Sequence, residues 1–149
     1  WGNRMNLTNF LKQKDFEKVF QILESQGFEY SFRNIENIFP SCDSALLYSF
    51  LMYSVSKKDT AEKHLVICEC LMYHEPYIYE CTAMIYWHIQ YALTITDHPE
   101  RIMGWVIEVF GADPSSPFSE EEILFFAKKV LMQNPNNTVA IHILNPPTK

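Results

Sequence analysis

The chain has 149 residues, of which 48% are apolar, 15% aromatic and 20% charged. This composition excludes an intrinsically disordered chain, and the length is typical of one compact domain, so we expect a single domain over residues 1–149. Twelve basic and eighteen acidic residues give a net charge of −6. This balance argues against nucleic-acid binding, because phosphate contacts need clustered Lys and Arg.

Apolar residues recur at helical spacing along the chain, and only four residues are glycine. A β-rich fold of this length usually needs more turn glycines, and no Asn-Gly or Asp-Gly hairpin signal occurs, so the sequence predicts an all-α fold. In chain order, helices are predicted over residues 15–27, 41–58, 59–75, 76–96, 97–111, 119–134 and 137–144. An aromatic stretch over residues 28–39 separates the first two, and residues 145–149 are expected to be a flexible tail.

Capping residues set the predicted helix starts. Asp15 precedes the first apolar stripe, Ser41 or Asp43 precedes the second, and Asp59 or Thr60 precedes the third. These side chains accept hydrogen bonds from the free N–H groups of a first helical turn. Asp97 with Pro99 predicts another start. Ser119 followed by Glu120, Glu121 and Glu122 resembles a capping box, with acids where the helix dipole favours them.

The starts at Ser41/Asp43, Pro76 and Ser119 are each followed by a long helix, a turn and a second helix. Their intervals of about 34 and about 43 residues are close to those of helix-turn-helix repeats. The segment Asn134-Pro135-Asn136-Asn137, with Ala140 three residues on, resembles the boundary between tetratricopeptide repeats. This resemblance implies antiparallel helix pairs stacked as a short α-solenoid. The Trp, Leu, Gly and Tyr positions of that family do not recur at a fixed period, so a compact helical bundle is the alternative.

The cysteines lack the regular spacing of a secreted disulfide scaffold; they are Cys42, Cys68, Cys70 and Cys81. Buried free thiols are therefore expected, which favours the cytosol. Residues 1–6 have no apolar core of the kind found in a secretory signal. Met5 is a candidate natural start, with residues 1–4 then foreign to the protein. The longest weakly charged stretch, residues 78–96, contains Glu80, His88 and Gln90 and is too polar for a predicted membrane span.

One group of residues has the side-chain types of a zinc site: His64, Cys68, Cys70, His74 and Cys81. The pairs His64/Cys68 and Cys70/His74 are each spaced by four residues. At about 100° per residue, however, the two pairs face different sides of one helix and cannot complete one tetrahedron. We therefore predict neither a metal site nor a cofactor here.

No catalytic motif is recognisable, and we expect a protein that is not an enzyme. The chain contains no nucleophile elbow, no phosphate-binding glycine loop and no local Cys–His signature. His88 and His98 are isolated in the sequence, and His88, between aromatic residues, is expected at a helix-packing edge. The acids at 120–122 have a sufficient structural role at a helix start. No small-molecule substrate is evident.

Charge is distributed unevenly. From Glu75 to Glu122 there are nine acidic residues and one base, Arg101, for a local charge of −8, whereas the rest of the chain carries +2. Aromatic residues lie in the same stretch, namely Tyr77, Tyr79, Tyr86, Trp87, Trp105, Phe110 and Phe118. An acidic surface with aromatic anchors suits a basic protein partner, although such a run is often only a solvated face.

Two functions fit these features. Small, acidic helical proteins without catalytic motifs resemble the immunity proteins of bacterial toxin systems. That resemblance implies an inhibitor that neutralises a basic toxin, for which a nuclease is one candidate. The alternative is a tetratricopeptide-like adaptor or scaffold that binds a peptide. In the first case, the expected partner-binding residues are Asp97, Glu100, Trp105, Asp113, Glu120, Glu121 and Glu122.

Overall fold

A computed structural model of the chain describes residues 7–26, 37–74 and 80–147. Within these ranges it is all-α, as predicted. The eight helices are α1 (Leu7–Lys12), α2 (Phe16–Ser25), α3 (Ser44–Lys57), α4 (Ala61–Tyr73), α5 (Thr82–Ile95), α6 (Pro99–Phe110), α7 (Glu120–Gln133) and α8 (Thr138–Leu144). Helix α1 was not predicted, and most of the aromatic stretch over 28–39 lies outside the described residues.

Side-chain caps fix most of the helix starts. The Asp15 carboxylate accepts a hydrogen bond at α2, and the Asp43 carboxylate accepts two at α3. Thr60 caps α4, and Asn137 caps α8. Ser119 begins α7 with a complete capping box. Asp43 rather than Ser41, and Thr60 rather than Asp59, are therefore the caps, and each satisfies N–H groups that a helix otherwise leaves without partners.

Two predicted starts differ in the structure. Helix α5 begins at Thr82, six residues after the predicted start, and residues 75–79 lie outside the described part of the chain. Glu80 has a φ of 53°, a left-handed conformation that no α-helix continues through. At α6, His98 rather than Asp97 occupies the N-cap position, and it makes no side-chain capping bond.

Helices α3 and α4 form an antiparallel hairpin. The Ser44 hydroxyl, at the start of α3, donates to the carbonyl of His74, just after α4, at 3.2 Å. At the other end, the Lys63 ammonium donates to the carbonyl of Ser54 at 3.3 Å. Bonds that join the start of one helix to the end of the next require the two helices to run in opposite directions.

Helix α5 packs antiparallel on α4. The Cys68 thiol donates to the carbonyl of Ile85 at 3.5 Å, and the Cys81 thiol to that of Leu71 at 3.6 Å. Helix α6 packs along α7, and α7 along α8. Each helix from α3 to α8 therefore packs on the next helix in the chain.

The helices from α3 to α8 form three successive hairpins, α3–α4, α5–α6 and α7–α8, that repeat with a constant period. Helices α3, α5 and α7 begin at Ser44, Thr82 and Glu120, so consecutive starts are 38 residues apart. The predicted intervals of about 34 and about 43 were wrong because the middle start was misplaced. Buried residues recur at the same period: Leu47, Phe50, Leu51 and Ser54 in α3, Ile85, His88, Ile89 and Ala92 in α5, and Ile123, Phe126, Ala127 and Val130 in α7.

The first helices of the three hairpins also contact one another. The Tyr48 ring of α3 meets the His88 ring of α5 at a centroid distance of 6.2 Å. The Tyr86 hydroxyl of α5 donates to the Glu122 carboxylate of α7 at 2.7 Å. The helices from α3 to α8 thus form a stack in which each helix packs on the next, an architecture consistent with an α-solenoid or a compact helical bundle. The Asn134–Asn137 segment is the turn between α7 and α8, inside the third hairpin.

A buried lysine joins this stack to α2. The Lys63 side chain is 1% exposed, and its ammonium lies 3.0 Å from the Glu24 carboxylate. It also donates to the carbonyls of Ser54 and Lys58 at the end of α3. A cation at a helix C-terminus is favourable because the carbonyl ends of the peptide dipoles point there.

All four cysteines lie in the described residues, and no disulfide joins them. Cys42, Cys68 and Cys70 are buried, and burial raises the pKa of the Cys68 thiol. None of the described helices combines the length and apolar character needed to cross a membrane.

Candidate functional site

A groove of about 660 Å³ lies beside the third hairpin. Its walls are the end of α6, the turn that follows, the start of α7, and α8. Ile107, Phe110, Ile123 and Ile143 are among the apolar side chains that line it. This volume is within the range of sites that hold small ligands or side chains.

Gly111 allows this arrangement of the walls. A Cβ atom at this position would lie 3.0 Å from Cδ1 of Ile143 and would also contact the carbonyl of Ile107. The missing side chain therefore lets α8 approach the end of α6. A larger residue here would displace one wall of the groove.

Three carboxylates also line the groove: Glu108, Asp113 and Glu120. All three residues are exposed. His142 also lines the groove, and none of the described lining residues is Lys or Arg. With its carboxylates ionised, the groove carries three negative charges beside an apolar surface. Such a field attracts a cationic group and raises its local concentration.

The turn holds Asp113 in its charged form. The Ser115 hydroxyl and the Ser115 backbone N–H both donate to Oδ1 of Asp113, at 2.7 and 2.8 Å. These two bonds lower the pKa of the Asp113 carboxyl. A carboxylate bonded in this way has a defined position, so it can recognise a cation with little reorganisation.

Two of the predicted partner-binding residues, Asp113 and Glu120, line the groove. Glu121 follows them on the exposed first turn of α7. Glu122 has a different role: it accepts bonds from the backbone N–H of Ser119 at 3.0 Å and from the Tyr86 hydroxyl. Burial alone would raise the pKa of Glu122, but these hydrogen bonds lower it. Glu122 therefore holds α7 against α5.

Three other predicted residues lie on α6 or just before it. Asp97 precedes α6 and Glu100 is in its first turn, and seven residues, or about 10 Å of helix, separate Glu100 from Ile107, the first α6 residue of the groove. The Glu100 carboxylate lies 3.7 Å from Nδ1 of His98. Trp105 is half-buried in the middle of the helix, with its ring edge-on to Phe110 at 6.1 Å. The predicted set thus does not converge on one cluster.

Glu108 is a groove residue that the sequence prediction did not select. It belongs to the acidic segment, and it stands in the last turn of α6. The helix dipole disfavours an acid at that end. An acidic residue in the last turn of a predicted helix, next to the apolar Ile107, is the sequence feature that could have indicated a role in binding.

A second polar cluster is buried between α4 and α5. Nδ1 of His64 lies 2.8 Å from Nδ1 of His88, and Nε2 of His64 lies 2.7 Å from the Asp59 carboxylate. Each histidine is 1% exposed. The Tyr91 hydroxyl donates to the second oxygen of Asp59 at 2.8 Å. His88 was expected at a helix-packing edge; it is instead fully buried between the helices, and its partner is 24 residues away in the chain.

One hydrogen bond in this cluster has a defined donor. An ionised carboxylate only accepts, so His64 donates to Asp59 through Nε2. The two Nδ1 atoms share one further hydrogen bond, in which either ring can be the donor, depending on the tautomer. Burial, and secondly the neighbouring His64, lower the pKa of His88 to about 4. His88 is therefore neutral near pH 7.

Trp87 covers the histidine pair. Its ring stacks on Tyr91 at a centroid distance of 5.3 Å and an angle of 8°, and it lies edge-on to His88 at 4.8 Å. The indole remains 53% exposed. The cluster thus has aromatic rings between its imidazoles and the solvent.

The residues whose side-chain types match a zinc site have separate partners. Nε2 of His74 bonds to the carbonyl of Cys42 at 2.6 Å, whereas His64 faces α5. The thiols of Cys68 and Cys81 donate to different backbone carbonyls. In the part of the chain that the structure describes, no three His, Cys, Asp or Glu side chains converge on a possible metal position.

No protein-family model matches this chain, and no curated protein or solved structure shows significant similarity to it.

Proposed function

We propose that this protein is a non-catalytic binding module whose acidic groove receives a basic protein partner. The observation that supports the proposal is the groove itself, which combines an apolar lining with Glu108, Asp113 and Glu120 and has no Lys or Arg among its described lining residues. Opposite charge accelerates association, and an apolar pocket slows dissociation.

An inhibitor of the immunity-protein type is the first form of this function. It would neutralise a basic toxin by occupying cationic residues around the toxin's active site. Asp97, Glu100 and Glu121, with Trp105, would extend the contact beyond the groove. A cytosolic location is part of the proposal, and the lack of a disulfide among the four cysteines, all of which are described, supports it.

A peptide-binding adaptor of the tetratricopeptide type is the second form. The 38-residue hairpin period favours it, because stacked hairpins present extended surfaces to linear ligands. The two forms differ in the partner, which is a folded toxin in one case and a flexible segment in the other.

Affinity capture with a charge-reversed groove tests the proposal. The protein and its Glu108→Lys/Glu120→Lys variant are immobilised and exposed to lysate of the source organism. The unmodified protein should retain basic proteins that salt elutes, and the variant should lose them. A Glu62→Lys/Glu80→Lys variant has the same net charge, with both changes at exposed acids outside the groove, and should retain them.

The same set of proteins on all three baits would refute a role for the groove. An Asp97→Lys/Glu100→Lys variant then shows whether the far end of α6 belongs to the contact. A retained partner that a short synthetic peptide displaces would favour the adaptor over the inhibitor.

A further inference from the structure

We infer that the groove is occupied by one large apolar side chain of a linear segment, with Lys or Arg on both sides of it. This inference rests on the proposed function and specifies its partner. The apolar side chain would contact Ile107 and Ile143, and the cations would lie near Glu108 on one wall and Asp113 and Glu120 on the others.

The apolar lining is the first reason. A surface that recognises charge alone needs no concave shape, whereas here carboxylates and apolar side chains line one groove with space for a side chain. Burial of one large apolar side chain strengthens binding by about tenfold or more. A segment with an apolar side chain between cations therefore interacts with both the apolar lining and the carboxylates of the groove.

The positions of the carboxylates are the second reason. Glu108 belongs to α6, Asp113 to the turn after it and Glu120 to the start of α7. Acids from three successive elements therefore border the groove at different places. A linear segment with cations before and after its apolar side chain can contact more than one of these acidic residues. A single small cation cannot.

Labelled peptides of the form Lys-Lys-X-Lys-Lys provide the test, with Leu, Phe or Trp as X and with Ser as the matched control. Fluorescence anisotropy measures their binding to the full chain. At least one apolar X should bind about tenfold more tightly than Ser. Ala112, an exposed residue of the lining, is changed in the Ala112→Trp variant to fill the groove. That variant should remove the difference, whereas Ala83→Trp, at an exposed alanine of α5, should preserve it.

The outcomes separate this inference from the proposed function. Equal binding of all peptides, unaffected by Ala112→Trp but weakened by Glu108→Gln/Glu120→Gln, overturns the apolar anchor and leaves a charge-based partner in place. Absence of binding by every peptide at millimolar concentration also overturns it. The proposed function fails as well only if charge reversal leaves the captured proteins unchanged.

Discussion

Replacing His64 with Ile and His88 with Phe should make the fold less sensitive to acid. The repeat itself suggests these residues: 38 positions further on, Ile102 and Phe126 occupy the equivalent sites, and both are buried. Removing both partners of a buried hydrogen bond and filling their space with apolar side chains is often nearly neutral for stability. The double variant should therefore fold, with a free energy of unfolding near that of the parent protein at neutral pH.

The size of the acid effect follows from His88. Its pKa falls from 6.5 to about 4 on folding, so below pH 6.5 the unfolded chain binds a proton that the folded chain does not. The contribution of His88 to the free energy of unfolding is therefore fully present above this pH and decreases as the pH falls toward 4. This single group should lower the free energy of unfolding by about 2 kcal/mol between about pH 7.5 and about pH 5, and by about 3 kcal/mol in total.

Urea denaturation followed by far-UV circular dichroism measures this difference. Carboxylates such as Glu122 titrate in both proteins, so the difference between the two pH profiles isolates the histidine pair. The parent protein should lose about 2 kcal/mol more than the double variant over this pH range. Equal losses would refute the assignment of a buried, neutral His88.

The single variant His88→Phe adds a second comparison. It leaves Nδ1 of His64 without its present partner, because that partner is His88. A buried polar atom without a hydrogen bond costs about 1–3 kcal/mol, so the single variant should be less stable than the double variant. A single variant as stable as the double would contradict the hydrogen bond between the rings.

Three further substitutions test the contacts that hold the helices. Lys63→Met should lower the free energy of unfolding by about 2 kcal/mol in urea titrations, because Glu24 and two carbonyls lose their cation; an unchanged midpoint would contradict the buried ion pair. Ser119→Ala should cost about 1 kcal/mol in thermal denaturation because it removes the cap of α7, and no loss would argue against the capping box. Tyr86→Phe should raise the pKa of Glu122 in an NMR titration, since it removes a bond to the charged form; an unmoved pKa would exclude that bond.

Most of the helices could be predicted from the sequence because their starts depend on local hydrogen bonds. Asp43, Thr60 and Ser119 bond to backbone N–H groups two or three residues away, so a short window contains the signal. The start of α5 could not be read in this way. Cys81 provides no side-chain cap, and the left-handed Glu80 has no distinctive residue type.

The candidate site was only partly predictable. The charge of the acidic segment predicted Asp113 and Glu120 as binding residues, and both line the groove. Residues of α6, α7 and α8 meet there, and which side chains converge depends on packing that no local pattern contains. The contact between His64 and His88 was missed for the same reason, because it needs the antiparallel pairing of α4 and α5.

The small buried area of α8 has a consequence for how the groove responds to a ligand. Segments that bury few apolar side chains open locally more often than the helices of a core. Helix α8 has seven residues, of which Ala140 alone is fully buried, and it forms one wall of the groove. Its amide hydrogens should exchange with solvent faster than those of α4 or α5, and an occupant should slow that exchange first at α8. Part of the binding free energy would then be used to close this helix, so binding at the groove would be coupled to the ordering of α8.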